Sequence, residues 1–456
     1  MNKAASGNFR QLLKDTDFII AGEEVKGALS YLPFGLEVRN RLYDLAITDL
    51  KRMGFQQVLL TDIVSNHAIN KMEKVSANAE NFYAVKNTDF SMAAGHEIPF
   101  YLFIRQLLKN GSKKITFPLQ YFHFGPGYRF PKNGNFPFTM GERKSFLECY
   151  SVHTTSQNAE QALDAGIQWN RRLINDILKL PAIEVDRPII TNKKFSKRTI
   201  CIDTLTPIGR TVITGMTYFH DDIFSRPLDV QYTNAVGERS PVHVAHFGIS
   251  ENILFSFLLN AATPDRLRLL NVLAPVQVLV LNAVPENKVV EQVTAFLINE
   301  HIRFACRQVI LSSLEYEIRE NEKRGIPLLI SFSASQAEGI KIRYHFNGEQ
   351  RKTNLPGLIH LIPVLLKQND TIIWEEFVKR KEDGIIHCDS IREIIDCVGR
   401  GKIASVFSDD SNKQILELEK LVRGAEILGF QKSHEAGKDI LSNYITCSKA
   451  FISKRL

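Results

Sequence analysis

The chain has 456 residues, of which 44% are hydrophobic and 23% charged, and 57 Lys and Arg against 50 Asp and Glu give a net charge of +7. That length exceeds one ordinary core and predicts two or three domains, while the balanced composition excludes a fibrous, low-complexity or disordered chain. The mild basic excess permits polyanion binding without demonstrating it.

Six cysteines, Cys149, Cys201, Cys306, Cys388, Cys397 and Cys447, are scattered without a CxxC pair. This argues against a disulfide framework and a zinc site and suits a reducing cytosol. No apolar run approaches the roughly 18 residues needed to span a bilayer, and the N-terminal MNKAASGNFRQLLKDTD lacks an apolar signal core. The expectation is a soluble, cytoplasmic protein without membrane association.

In chain order, residues 35–53 form an amphipathic helix, with Val38, Leu42, Leu45, Ala46, Leu50 and Met53 on one stripe, stopped by Gly54. Residues 57–64, QVLLTDIV, read as a short buried strand, residues 73–96 as a loop-rich excursion and residues 98–108 as a helix. An aromatic-rich strand at 115–124 feeds a Gly/Pro/Asn loop and a return strand, a hairpin over 121–155 whose loop overhangs a pocket. Residues 159–180 form a second long helix with Leu163, Ile167, Leu173, Ile174 and Ile177 as its stripe. Strands follow at 199–203 and 212–217, and VHVAHFGISENILFSFLL at 242–259 reads as a strand running through Gly248 into an apolar helix.

Composition shifts near Asn271. From Val276, strands alternate with helices at 288–299 and 311–323, the pattern of a small α/β layer with a largely parallel sheet. Residues 359–364 and a helical 370–380 lead to a last segment with a charged helix at 413–424 and the strand-like YITCSKAFISKRL.

The wording of several stretches resembles class II aminoacyl-tRNA synthetases, most closely the prolyl type of archaea and eukaryotes, nearly end to end. LPFGLEVRNRLYDLAITDLKRMGFQQVLLTDIV is similar to motif 1, GYRFPKNGNFPFTMGERKSFLECYSVHTT to motif 2 and HFGISENILFSFLL to motif 3. APVQVLVLNAVPEN and ENEKRGIPLLISF resemble the anticodon-binding domain, and GKIASVFSDD with AFISKRL resembles the C-terminal zinc-type domain. The resemblance implies an α+β chain: a class II synthetase-like antiparallel sheet with flanking helices over 1–270, an α/β anticodon-binding-like domain over 271–365 and a reduced C-terminal domain over 366–456.

It also implies a chemistry. Amino-acid activation by ATP needs arginines on the phosphates, because charge builds at the α-phosphorus as a carboxylate attacks. Arg129 falls on the first motif 2 arginine and would contact phosphate. The other positions are degenerate: Pro131 replaces a glutamate, Met140 the second motif 2 arginine and Asn252 the motif 3 arginine, and no neutral side chain replaces a planar cation. Glu142 and Arg143 lie close enough that a shift of register would return one cation. The amino-acid pocket is partly kept, with Glu97 (in GHE, where the family has TSE), Phe146, Glu148, His153 and Ser250 on substrate-binding positions. Gly215 matches a family glycine, while Met216 and Thr217 replace a polar pair. Paired carboxylates beside an aromatic face suit an ammonium ligand.

In the anticodon-type segment Arg303, Arg307, Arg319, Lys323 and Arg324 are candidate RNA contacts, with Phe304 and Tyr316 the nearby aromatic platforms. No zinc is expected in the C-terminal segment, where only Cys447 remains of the cysteine pairs that a tetrahedral site needs. Three functions stay open. The first is a prolyl-type paralogue with a degenerate ATP site that still binds tRNA or an amino acid. The second is an active ATP- and Mg²⁺-dependent ligase, and the third a dimerisation scaffold. The motif 1 helix implies a homodimer.

Overall fold

The computed structural model describes residues 3–22, 25, 28–72, 82–110, 115–129, 143–187, 195–234, 236–333, 340–344, 350–409, 413–442 and 444–456. They form two compact units, one of Met1–Ala21, Leu29–Leu45 and Phe257–Lys379, the other of Gly22–Ala28, Ala46–Ser256 and Arg380–Leu456.

The second unit is built on an eleven-stranded sheet. Its centre is antiparallel and runs in the order Ala182–Asp186, Arg198–Leu205, Thr211–Asp221, His243–Ser250, Arg143–His153 and Leu119–Tyr128, with Gln56–Val58 added in parallel at the edge. The strands Ile385–His387, Ile403–Phe407, Ile445–Lys454 and Ala425–Lys438 extend the sheet on the other side. The join is thin: Phe430 pairs with Asp186, and an isolated bridge links Arg455 to Thr211. Side chains reinforce it: the fully buried Asp203 is held by Arg187 at 3.0 Å and Arg455 at 3.2 Å, and Arg187 also donates to the Leu428 carbonyl. Two guanidinium groups stand in for the water that a carboxylate so deep has lost.

The predicted hairpin is present as Leu119–Tyr128 against Arg143–His153. Its loop, residues 130–142, lies outside the described residues. Tyr150 on the return strand is fully buried, with Phe100 of the helix Glu97–Lys109 stacked at 3.8 Å and His246 stacked at 4.3 Å. Those rings head a core that also takes Tyr101, Ile104, Val152 and Val244. Packing of this density fixes the sheet as a rigid platform.

The other unit carries a five-stranded sheet in the order Phe304–Gln308, Val278–Asn282, Leu328–Phe332, Ile340–Tyr344 and Gln350–Thr353; the first three are parallel and the last two antiparallel. The helix Lys288–Asn299 starts where the Asn287 side chain accepts the Val289 N–H at 3.0 Å. Val278 and Val280 pack on one face with Val293, Leu297, Leu358 and Ile362, and Leu279 and Leu281 on the other with Leu314 and Ile318. A strand covered on both faces reads as an unbroken apolar run, as in VQVLVLN.

Several sequence expectations are corrected. QVLLTDIV is two short strands, Gln56–Val58 and Ile63–Ser65, with Leu59 89% exposed between them. The second pairs with Phe90–Met92 in a small sheet. The helix expected over 159–180 is Ser156–Gln161, Leu163–Arg171 and a π-turn at Arg172–Ile177. The extra residue in that turn advances the helical phase, so Leu178 is buried in place of Ile177. Residues 359–364 and 370–380 belong to one helix, Leu355–Gly384, despite Pro363. Burial of Leu358, Ile362, Leu365, Ile373 and Phe377 outweighs the missing N–H. The last charged helix shortens to Glu417–Leu421 after a 3₁₀ turn.

Candidate functional site

Strand register assembles the site. Residues 144, 146, 148 and 150 alternate onto one face of the return strand. Across from them lie Gly127 opposite Lys144, Ser250 opposite Phe146, Gly248 and His123 opposite Glu148, and His246 opposite Tyr150. Met216 and Tyr218 continue the rows, opposite Gly248 and His246. The resulting cavity, about 190 Å³, is lined by Glu97, Arg129, Lys144, Phe146, Glu148 and Ser250, with Met216, Tyr218, His246 and Asn252 completing the wall. Gly127 is required here, since a Cβ would come within 2.6 Å of the Phe146 ring and 2.8 Å of the Ala94 carbonyl oxygen.

Arg129 is positioned twice: its Nε donates to the Ala94 carbonyl at 2.7 Å, and its guanidinium lies 4.7 Å from the Phe146 ring centre. Glu97, at the first turn of its helix, has its carboxyl pKa raised by burial and by the negative charge of Glu148, with Arg129 opposing. Burial works in the same direction on Glu148, but there a hydrogen bond from His96 and the charge of that ring win and hold the carboxyl low. Glu148 Oε2 lies 3.2 Å from the His96 backbone N and 3.0 Å from His96 Nδ1. The site therefore offers one firmly ionised carboxylate and one that gains a proton easily, beside an aromatic face.

Of the residues read from the sequence, Glu97, Arg129, Phe146, Glu148, Ser250 and Asn252 are brought together around this cavity. His153 lies at the end of the strand opposite His243, its Nε2 2.8 Å from Ser151 Oγ. Pro131, Met140 and Glu142 lie outside the described residues. Lys144, Tyr218 and His246 had not been singled out. Lys144 shares the parity of Phe146 and Glu148, the signal that would have found it. Its ammonium donates to Asn252 Oδ1 at 2.6 Å, the Asn252 amide donates to the Ile213 carbonyl at 2.8 Å, and burial, helped by Arg129, pushes the lysine pKa down to about 7.

The candidate RNA contacts sit in the other unit. Arg303 is half-buried and donates to the Ala274 carbonyl at 3.1 Å and to the Asn271 carbonyl. Arg307 pairs with Glu317 at 3.7 Å, Lys323 with Glu320 at 2.7 Å, and Arg324 with Asp17. Arg319 is exposed, as is Tyr316, whereas Phe304 packs partly against the core.

An antiparallel sheet of this order with a ligand-sized cavity on its face, in a chain that also carries a separate α/β layer, is the class II aminoacyl-tRNA synthetase architecture. No family model matches the chain. Its similarity is to the prolyl type: the chain is 23% identical over 450 residues to the proline–tRNA ligase of Methanopyrus kandleri, covering 95% of this chain and 89% of that one. It is 22% identical over 451 residues to the ligase of Pyrobaculum neutrophilum, covering 94% and 90%. Giardia lamblia prolyl-tRNA synthetase in complex with prolyl-adenylate superposes with a TM-score of 0.90 at 16% identity, covering 100% of this chain and 98% of that chain. The Cryptosporidium parvum enzyme complexed with L-proline and AMP gives 0.85 at 15% identity, with 98% and 94% covered. All six cysteines are unpaired, and among the described residues no helix is long and apolar enough to cross a membrane.

Proposed function

We propose that the chain is a prolyl-tRNA-synthetase-like paralogue with a degenerate ATP site, which retains binding of an amino acid and of tRNA. The observation that carries this reading is the Lys144–Asn252–Ile213 relay. Asn252 stands where the resemblance puts an arginine for phosphate, and its amide is committed to a lysine on one side and a backbone carbonyl on the other. The ammonium end fares better: Glu97 and Glu148 remain beside Phe146, and a buried carboxylate next to an aromatic face favours a cationic amine. Arg303, Arg307, Arg319, Lys323 and Arg324 belong to the unit proposed to meet tRNA. In this reading residues 1–270, 271–365 and 366–456 correspond to the catalytic, anticodon-binding and C-terminal domains, and the protein is a cytoplasmic homodimer.

A second reading, an active ATP- and Mg²⁺-dependent ligase that passes an aminoacyl group to tRNA or another acceptor, is favoured by Arg129, which still lines the cavity. Amino-acid-dependent ATP–pyrophosphate exchange across the common amino acids separates the two, with Arg129→Ala as control. Absence of exchange together with salt-sensitive tRNA binding supports the first. Exchange specific to one amino acid and lost in the control establishes the second.

A further inference from the structure

We propose that the cavity on the sheet takes an amino acid with a second acidic group, a side-chain carboxylate or phosphate, and that Lys144 is the residue that selects it. This rests on the amino-acid-binding reading above and names the class of ligand within it. At about 190 Å³ the cavity is smaller than the roughly 300–1,000 Å³ of pockets for drug-sized ligands, and it suits one small metabolite.

The charges along it are ordered. Lys144 and Glu148 share one face of the return strand Arg143–His153 and, four residues apart, are separated by about 13 Å at the backbone. Phe146 stands between them. Glu97 belongs to the Glu148 end, where each carboxylate feels the other. Arg129 comes next: its Nη2 and Glu97 Oε2 both border Gly95, 3.6 and 2.5 Å from the point that a Cβ would occupy. The Arg129 guanidinium is 4.7 Å from the Phe146 ring centre, and Lys144 Nζ is 5.8 Å from the same centre. Two carboxylates are followed by one cation and then by a second.

An α-amino acid bears its ammonium and carboxylate on one carbon, so the neighbours Glu97 and Arg129 serve both. Lys144, further along the strand, is left for a third charge. Its hydrogen bond to Asn252 Oδ1 at 2.6 Å does not account for an ammonium, because the amide is neutral and the tie needs a donor rather than a charge. Burying an ammonium costs far more than burying an amide. Lys144 is nearly buried, and Arg129, a like charge on the same ring, adds to the cost, with the acid Glu251 acting the other way. An anion reaching both cations relieves their repulsion and takes charge-assisted hydrogen bonds from each.

The same arrangement rejects neutral side chains. A ligand without the second acid leaves the two cations facing one another without a counter-charge, and a site built around a polar group discriminates strongly against the analogue that lacks it. Asn252 supplies the aim: its amide is held by the Ile213 carbonyl at 2.8 Å, so the Lys144 ammonium is fixed before the ligand arrives.

The test is titration calorimetry of the full-length chain at pH 7 with L-glutamate, L-aspartate and O-phospho-L-serine, against L-glutamine, L-asparagine, L-serine and L-proline. At least one acid should bind about tenfold or more tighter than its neutral counterpart, and whether glutamate and aspartate or phosphoserine leads tells carboxylate from phosphate. Folded Lys144→Met should bring the acid and its counterpart to within about twofold while leaving the neutral ligands nearly unchanged. Binding of proline or another neutral amino acid at least as tightly as the acids by the wild-type chain overturns the proposal and leaves the amino-acid-binding reading standing, as does an acid preference that survives in folded Lys144→Met. Absence of binding by every amino acid overturns that reading and the proposal with it.

Discussion

Lys144 Nζ donates to Asn252 Oδ1 at 2.6 Å, so a buried cation of the cavity is tied to the residue at which the prolyl-type resemblance expects an arginine. Neither side chain compensates for the other: the amide is neutral, and burial pulls the ammonium pKa down to about 7. Returning a guanidinium while removing the competing ammonium should rebuild part of an anion site. Lys144→Met combined with Asn252→Arg is expected to tighten ATP binding by about tenfold, the worth of roughly 1.4 kcal/mol, measured by titration calorimetry. Asn252→Arg alone should gain less, because it sets two cations side by side. Equal affinity in wild type and double variant would show that Asn252 does not limit nucleotide binding.

The contrast between strands and helices explains what the sequence could reveal. Val278–Asn282 was legible because a strand buried on both faces leaves a continuous apolar run, and Lys288–Asn299 because its period and Asn287 cap agree. The π-turn at Arg172–Ile177 was not, since one inserted residue alters phase without altering composition. At the site, Glu97, Phe146 and Glu148 were found through resemblance to family motifs. Lys144 and His246 were missed because the family wording says nothing of them, although period-2 alternation and cross-strand pairing place both on the same face. Asp62, His96 and His123 come together from three separate stretches of chain, a juxtaposition that only the fold creates.

Glu148 is the hub of the buried polar network, accepting from the backbone and ring of His96. Glu148→Gln keeps the shape but removes the charge that holds His96. The expected loss is on the order of 3 kcal/mol in urea unfolding, the range for breaking one side of a buried pair. Any amine ligand should bind the folded variant more weakly. A variant as stable as wild type would mean that His96 is held by Asp62 alone.

Burial, reinforced by His243, lowers the His153 pKa to about 4, and burial lowers that of His246 to about 4 against the pull of Glu148. An unfolded histidine titrates near 6.5, so between pH 6.5 and 4 the unfolded chain binds more protons than the folded one. Stability from these groups is complete above about pH 6.5 and is lost as pH falls towards 4. Asp370, which burial raises to about 6, works in the opposite direction and is common to wild type and variant. His153→Gln should therefore flatten the acid limb of the stability profile, by on the order of 2 kcal/mol in the difference between pH 7 and pH 4. An unchanged slope would mean that His153 gains solvent before the fold opens.

Arg268 is nearly buried and closes the end of the helix Asn252–Ala261 by donating Nε–H to the Ala261 carbonyl at 2.6 Å, while its two terminal nitrogens grip both oxygens of Glu376. Three directed donors on one planar group cannot be copied by an ammonium. Arg268→Ala is expected to cost about 3 kcal/mol in the unit containing Phe257–Lys379, and Arg268→Lys to recover little of it. Limited proteolysis and thermal melting read the effect.

Arg303 and Arg319 divide the proposed RNA face into a structural and a solvent-facing cation. Arg303 already donates to the Ala274 and Asn271 carbonyls and is half-buried, and that burial, with Arg41 nearby, pulls its pKa down to about 10. Its charge is spent inside the unit. Arg319 is exposed on the helix Leu314–Lys323 and is available to a phosphate. Each phosphate contact releases counterions, so removing one should weaken binding uniformly and reduce the salt slope by about one. Arg319→Ala should do this without altering Tm, while Arg303→Ala should lower Tm and leave the salt slope of the folded fraction unchanged. Filter binding of total tRNA over a salt series reads both quantities. A salt slope untouched by Arg319→Ala would remove this helix from the RNA face and leave tRNA recognition, if binding persists, to another surface of the chain.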